Sequence, residues 1–216
     1  MSIKPIETFY SGYRFRSRLE ARWAVFFDHA GIEYEYEPEG FELEDGTRYL
    51  PDFYFPQYDW YAEVKAPRDG AKEDIERASR FIGNTIKVLI LLGNIPDASD
   101  SPVYHYNALY FNQLRNEVIV ERVCFEPTGA ADQEPYTRFG ISSWQAIDHV
   151  GYRNLYFSLE HVNDLLEPVT DKDLADSCGL FDNYWNSSLL DKESIDALSY
   201  CYRAARQARF EHGESG

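Results

Sequence analysis

Two short segments of the chain place acidic and basic side chains at a spacing that could support metal-assisted hydrolysis. Asp52 follows Pro51 in an aromatic stretch; ten residues separate it from Glu63, and Lys65 comes two positions later. Successive side chains of a β-strand alternate between its faces, so Glu63 and Lys65 would share one face. The pattern brings two carboxylates and an ammonium together if Asp52 lies beside that strand.

A turn over residues 56–59 would set this arrangement. Its sequence, Pro-Gln-Tyr-Asp, is rich in turn-forming residues. Four turn residues would pair Phe55 with Trp60 in an antiparallel hairpin. Continuing this register places Asp52 opposite Glu63, with Cβ atoms about 5 Å apart on one face.

Paired carboxylates of this kind indicate a particular chemistry. They repel each other, so either one is protonated or a cation lies between them. Oxygen ligands favour a hard ion such as Mg²⁺ (or Mn²⁺), which keeps several waters and completes its shell with substrate phosphate. Lys65 could then hold or deprotonate a metal-bound water. An ion, a nucleophilic water and an orienting group are the requirements for hydrolysing a phosphodiester.

The elements that would position these residues are predicted in the order α-β-β-β-α-β. Apolar residues at helical spacing predict a helix over residues 17–30, which Gly31 ends. Alternating residues predict a strand over 32–38. The remaining predictions are a hairpin of 41–43 with 48–55, a strand over 60–65, a helix over 71–82 closed by Gly83, and a buried strand over 88–92.

The second half of the chain shows weaker patterns. We predict strands over 104–111 and 117–125, a loop over 127–140, and helices over 158–166 and 192–211. The expected fold is therefore mixed α/β. Its core would span residues 1–127, and residues 128–216 would form a mostly helical C-terminal extension.

The combination of motif and element order resembles the PD-(D/E)xK nuclease superfamily. The match consists of Pro51-Asp52, ten intervening residues and Glu63-Val64-Lys65, within an α-β-β-β-α-β order over residues 10–95. The segment 12–23 (GYRFRSRLEARW) is also similar to bacterial and phage-encoded members without a settled function, and 204–213 (AARQARFEHG) is similar more weakly.

This resemblance implies a restriction-endonuclease-like core and a Mg²⁺- or Mn²⁺-dependent deoxyribonuclease. It implies that the metal ligands are Asp52, Glu63 and Val64. Lys65 would assist the attacking water, and Glu20 would add a catalytic carboxylate from the first helix. Glu20 also fits a capping box, in which its carboxylate would bond back to the Ser17 amide. Both interpretations of Glu20 are open at this point.

Four arginines near the beginning of the chain have two interpretations as well. They are Arg14, Arg16, Arg18 and Arg22. They could contact the phosphate backbone of a nucleic acid, which is the interpretation we favour because they flank the predicted site. They could instead form a solvated helix face with neighbours at i,i+4.

The charge of the chain leaves alternatives to catalysis. Its 21 basic and 37 acidic residues give a net charge of −16, which disfavours non-specific nucleic-acid binding. The acids are concentrated in residues 33–59, where nine acids accompany one base. The alternatives are therefore an inactive nuclease-fold protein that binds DNA ends, one that binds a protein partner through the acidic face of residues 33–45, or an acidic mimic of nucleic acid.

Composition excludes other classes of protein. The 17 Tyr, 14 Phe and 4 Trp are too many for a disordered chain. The longest apolar run, residues 88–93, is too short to cross a bilayer, and the N-terminus does not resemble a secretion signal. The histidines have no paired metal-ligand spacing. Three widely spaced cysteines, Cys124, Cys178 and Cys201, predict reduced thiols in a cytoplasmic protein without a membrane partner.

Overall fold

The computed structural model describes residues 7–67, 71–98, 104–127, 139–143, 165–170 and 192–210. The helices in these residues are α1 (Arg18–Ala30), α2 (Ala71–Thr85) and α3 (Lys192–Gln207). The strands are β1 (Thr8–Tyr10), β2 (Tyr13–Phe15), β3 (Glu35–Tyr36), β4 (Phe41–Glu42), β5 (Arg48–Tyr49), β6 (Phe53–Phe55), β7 (Trp60–Val64), β8 (Val88–Leu92), β9 (Tyr104–Asn112), β10 (Glu117–Pro127), β11 (Phe139–Ser143) and β12 (Val169–Thr170).

One mixed sheet organises the molecule. Its strands lie in the order β11-β10-β9-β8-β7-β6-β3, and β12 pairs with β9 beside this path. Strands β3, β6 and β7 are antiparallel neighbours, whereas β7 and β8 run parallel and are connected through α2. The fold is therefore mixed α/β, as predicted from the sequence. None of the helices in the described residues is long and apolar enough to cross a membrane.

Helices cover both faces of this sheet. Ala62 and Val64 of β7 belong to the apolar cluster that contains α1 and α3, whereas Tyr61 belongs to the cluster that contains α2. The rings of Phe26 in α1 and Tyr202 in α3 lie 4.6 Å apart, which joins the two helices. The alternation predicted for β7 is confirmed, because residues that alternate along a strand contact opposite layers.

Helix α1 is bounded by the residues that the sequence indicates. The Ser17 side chain accepts a hydrogen bond from the Glu20 amide, and Gly31 ends the helix in the left-handed region at φ 67°. Trp23 is fully buried, and its Nε1 donates to the Gly93 carbonyl at 2.9 Å. This bond fixes α1 against the end of β8, beside the strand that bears Glu63.

Several predicted boundaries were wrong for identifiable reasons. The strand predicted over 32–38 is only β3, because Glu37 adopts a left-handed φ of 46°. Strands β4 and β5 form a separate two-stranded sheet, and β6 joins the main sheet after Pro51. Helix α2 passes through Gly83 and ends before Ile86, whose φ is 55°.

An N-terminal hairpin was not predicted. Strands β1 and β2 pair in antiparallel fashion around Ser11-Gly12, whose φ angles of 48° and 83° require a left-handed turn. The Ser-Gly dipeptide is the signal that could have predicted it. This hairpin leads the chain directly into Arg16 and the beginning of α1.

Predictions for the second half of the chain have mixed outcomes. The strands at 104–111 and 117–125 are confirmed as β9 and β10, and the last predicted helix is α3. The loop residues 128–138 and most of the helix predicted at 158–166 lie outside the described residues, as does Cys178. Cys124 and Cys201 are buried free thiols. Strands β11 and β12 join the main sheet, while the boundary near residue 127 stays a prediction.

Gly93 is a position where any larger side chain should destabilise the fold. A Cβ built there would lie 1.8 Å from the Leu166 backbone oxygen, so Gly93→Ala requires the backbone to shift. We expect the free energy of unfolding to fall by about 1–3 kcal/mol, measured by urea denaturation. The matched control is Gly83→Ala inside α2, where no atom lies within 4 Å and alanine should be stabilising. Equal stability of both variants would contradict the packing described here.

Candidate active site

The hairpin of β6 and β7 has the register predicted from its turn. Phe55 pairs with Trp60, and Phe53 pairs with Ala62. The turn is closed by the Phe55 carbonyl, which accepts from the amides of Tyr58 and Asp59. Because β6 begins at Phe53, the preceding residue, Asp52, lies next to the end of β7.

The Asp52 carboxylate is completely buried at this point. Its Oδ2 accepts a hydrogen bond from the Val64 amide at 2.7 Å, and its Oδ1 accepts from the Arg16 guanidinium at 2.6 Å. Burial and the neighbouring charge of Glu63 raise the pKa of Asp52 well above its usual range. The carboxylates of Asp52 and Glu63 therefore interact, as the predicted register requires.

Glu63 and Lys65 form an ion pair next to Asp52. Lys65 Nζ lies 2.6 Å from Glu63 Oε1, and the Tyr49 hydroxyl donates to Glu63 Oε2 at 3.1 Å. Burial lowers the pKa of Lys65, but the charges of Glu63 and Asp52 outweigh that effect and raise it above its usual value. Lys65 therefore bears a proton, so this arrangement suits it to holding a water molecule rather than to deprotonating one.

Glu20 is held by donors from the residues just before α1 and from β3. Its carboxylate accepts from the Tyr36 hydroxyl at 2.6 Å, the Ser17 hydroxyl at 2.8 Å and the Arg16 amide at 3.0 Å. The capping box is present, but the amide that Glu20 reaches is that of Arg16, not that of Ser17. Its proposed catalytic role stays a prediction.

Tyr36→Phe tests this structural interpretation of Glu20. The variant removes one of the three donors to a buried carboxylate, so we expect the free energy of unfolding to fall by about 1–3 kcal/mol. Tyr54→Phe is the control, because its hydroxyl makes an exposed 3.3 Å bond to Asp59. Urea denaturation compares the two variants, and equal losses would contradict a structural role for the Tyr36–Glu20 bond.

The four predicted arginines occupy different places. Arg14 is exposed, pairs with Glu7 and lies over the Phe9 ring, 5.9 Å from its centroid. Arg18 is exposed at the first position of α1, and Arg22 is partly buried one turn later. Of the four, Arg16 alone lines the cleft that contains Glu63 and Lys65.

This cleft has a volume of about 180 Å³. The basic residues that line it are Arg16, Arg48, Lys65 and Arg77, and the acidic ones are Glu63 and Asp74. The sequence analysis assigned none of Arg48, Asp74 and Arg77 to the site. One signal for Arg48 was available, because it is the single base among the nine acids of residues 33–59.

The donor chemistry of the site fits a hard divalent cation in part. Asp52 and Glu63 offer carboxylate oxygens, and Val64 could contribute only its backbone carbonyl. The carboxylates are bonded to Arg16 and Lys65, which a metal ion would have to displace in part. No group of three or more His, Cys, Asp or Glu residues among those described is placed to hold a metal. A metal here would need ligands from substrate and water.

Comparisons of the chain with protein-family models, with curated proteins and with solved structures found no match. The resemblance to PD-(D/E)xK nucleases therefore rests on the motif, the register of β6 and β7, and the order of the elements.

Proposed function

We propose that this chain is a divalent-metal-dependent nuclease that hydrolyses DNA phosphodiester bonds in the cleft beside β7. The observation that supports the proposal most is the position of Asp52. Its buried carboxylate bonds to the amide of Val64, between Glu63 and Lys65 in the sequence. Asp52 lies just before β6, beside Glu63 of β7 and Lys65 after it. This grouping matches the chemistry expected from the motif.

Each side chain of the cleft has a role in this proposal. Asp52, Glu63 and the Val64 carbonyl would hold Mg²⁺ or Mn²⁺, which supplies Lewis acidity to a phosphoryl group when bound. The Lys65 ammonium would donate to the attacking water and orient it toward phosphorus. Arg16, whose side chain is half exposed, could turn from Asp52 toward a phosphate oxygen once the carboxylate charge is neutralised.

The topology around the cleft supports the same proposal. Strands β3, β6 and β7 form an antiparallel meander after α1, and α2 then leads to β8 parallel to β7. With β4 and β5 set aside, because they form a separate sheet, this is the α-β-β-β-α-β order that the resemblance implies for a restriction-endonuclease-like core. The N-terminal hairpin and strands β9 to β12 extend that order at its two ends.

A second candidate is a nuclease-fold protein that binds DNA without cutting it. One observation favours it: Arg16 and Lys65 already neutralise the two carboxylates that would hold the metal. An acidic mimic or a protein-binding module would instead use the exposed acids of residues 33–45. The positive lining of the cleft gives these last two alternatives no support.

Cleavage of a substrate panel tests the proposed function. Purified protein is incubated with duplex DNA, single-stranded DNA and RNA, each with Mg²⁺, with Mn²⁺ or with EDTA. We expect metal-dependent fragments from DNA and none in EDTA, because the carboxylate pair needs an ion to engage phosphate. Intact substrates in every metal-containing sample would contradict the proposal, and binding without cleavage would favour the second candidate.

A further inference from the structure

The cleft is positively lined although the chain is strongly acidic. Four basic side chains face two acidic ones around it, in a protein whose net charge is −16. A concave surface lined by charges of one sign focuses the electric field and raises the local concentration of ions of the opposite sign. The lining therefore selects an anionic ligand for this place and disfavours binding elsewhere on the molecule.

The four cations of the cleft are not equally available to a ligand. Arg16 pairs with Asp52 and Glu37, and Lys65 pairs with Glu63. Both cations are therefore paired with carboxylates, and Arg16 would reach a phosphate only after the charge of Asp52 is neutralised.

The other two cations lie at its rim. Arg77 pairs with Asp74, at 2.9 Å on the same helix. Arg48 is exposed, and no ion pair to it occurs within the described residues. A guanidinium that pairs with no carboxylate of the described residues is well placed to bind phosphate.

The elements that bear these two arginines are packed against each other. The ring of Tyr49 in β5 stacks on Phe81 of α2 at 4.8 Å, and Phe41 of β4 contacts the same ring at 4.9 Å. Arg80 of α2 also reaches Asp45 in the β4–β5 turn at 3.6 Å. This packing fixes the backbone positions of Arg48 and Arg77 on two walls of one cleft, which suits recognition of a ligand with several phosphates.

We propose that Arg48 and Arg77 bind backbone phosphates of DNA next to the phosphodiester that reacts. The strand would then cross the cleft between β5 and α2, and would not follow Arg14, Arg18 and Arg22 along α1. This inference rests on the proposed function for the identity of the ligand. Such contacts position the backbone without reading its sequence.

Salt-dependent binding tests this subsite separately from catalysis. The fluorescence anisotropy of a short labelled DNA duplex is measured with Ca²⁺ in place of Mg²⁺, for wild type, Arg48→Ala, Arg77→Ala and the double variant. Each lost phosphate contact should make the slope of log affinity against log salt shallower by about 0.9. Arg115→Ala is the control, because Arg115 is 50% exposed, pairs with Glu117 and does not line the cleft.

Each outcome decides the proposal. Weaker binding and a shallower slope in the double variant, with the Arg115→Ala variant unchanged, would support it even if the wild type cuts nothing. In that case the nuclease proposal alone would fail. Arg18→Ala is measured in the same assay, and a slope that changes for Arg18→Ala but not for the double variant would overturn the proposal. Undetectable binding by the wild type would overturn it as well. Melting temperatures of all variants verify that they are folded.

Discussion

Replacing Lys65 by alanine is expected to slow metal-dependent DNA cleavage by at least about 100-fold, the usual contribution of a positioned proton donor or acceptor. Lys65 Nζ lies 2.6 Å from Glu63, and the pKa of Lys65 is raised by Glu63 and Asp52 against the opposing effect of burial. Lys65→Ala therefore removes a charged hydrogen-bond donor that lies beside the proposed metal ligands Asp52 and Glu63. Initial rates of duplex cleavage under single-turnover conditions measure the effect.

Lys87→Ala is the matched control for this variant. Lys87 forms an ion pair with Asp59 and is about as exposed as Lys65, but it does not line the cleft. We expect its cleavage rate to equal that of the wild type. Metal binding should survive Lys65→Ala, because Lys65 competes with the ion for Glu63 and supplies no ligand. A Lys65→Ala variant that cuts at the wild-type rate would remove Lys65 from the mechanism.

Asp52→Asn is expected to stabilise the metal-free protein and to abolish its response to divalent metal. Burial first, and then the charge of Glu63, raise the pKa of Asp52. Asp has a pKa of about 3.9 in the unfolded chain. A carboxyl group whose pKa is higher in the folded state contributes fully to the stability of the folded protein below that unfolded value. The contribution is lost as pH rises through the folded pKa. At neutral pH the ionised carboxylate therefore opposes folding, which asparagine would not do.

Thermal unfolding in EDTA measures the stability part of this prediction. We expect Asp52→Asn to exceed the wild type by about 1 kcal/mol at neutral pH and to lose that advantage toward pH 4. The ion pair with Arg16 opposes part of this gain, but the guanidinium is half exposed and therefore stays hydrated when its buried partner is replaced. Asp59→Asn, an exposed carboxylate, is the control and should show no such gain.

Thermal unfolding with added Mn²⁺ measures the predicted loss of the response to divalent metal. An ion that binds only the folded state stabilises the wild type by about 2.7 kcal/mol at a concentration 100 times its dissociation constant. Asp52→Asn should show no such increase. A wild type that does not respond to Mg²⁺ or Mn²⁺ would contradict the metal site, and a less stable Asp52→Asn variant would contradict the repulsion between Asp52 and Glu63.

Local sequence signals predicted the parts of the fold that depend on neighbouring residues. Ser17 and Gly31 bound α1 because a cap and a left-handed glycine act within one turn. The four-residue turn at 56–59 predicted the pairing of β6 with β7, since turn length sets the register of a hairpin. That register in turn predicted that Asp52 lies beside Glu63.

Contacts between distant segments could not be predicted in the same way. Arg16 bonds to Asp52 across 36 positions of the chain, and Arg48 and Arg77 line one cleft only because β5 packs on α2. Neither arrangement has a periodicity or a motif that would reveal it. The left-handed conformation of Ile86, which ends α2, could not be predicted from its residue type, since a β-branched residue does not favour it.

The most direct test of the central claim is cleavage by two carboxylate variants purified beside the wild type. Supercoiled and linear DNA are incubated with Mg²⁺ or Mn²⁺ and wild type, Asp52→Asn or Glu63→Gln, and the products are separated by electrophoresis. The account predicts fragments from the wild type that EDTA prevents and that neither variant produces. Cleavage that persists unchanged in both variants, or no cleavage by the wild type with either metal, would contradict it.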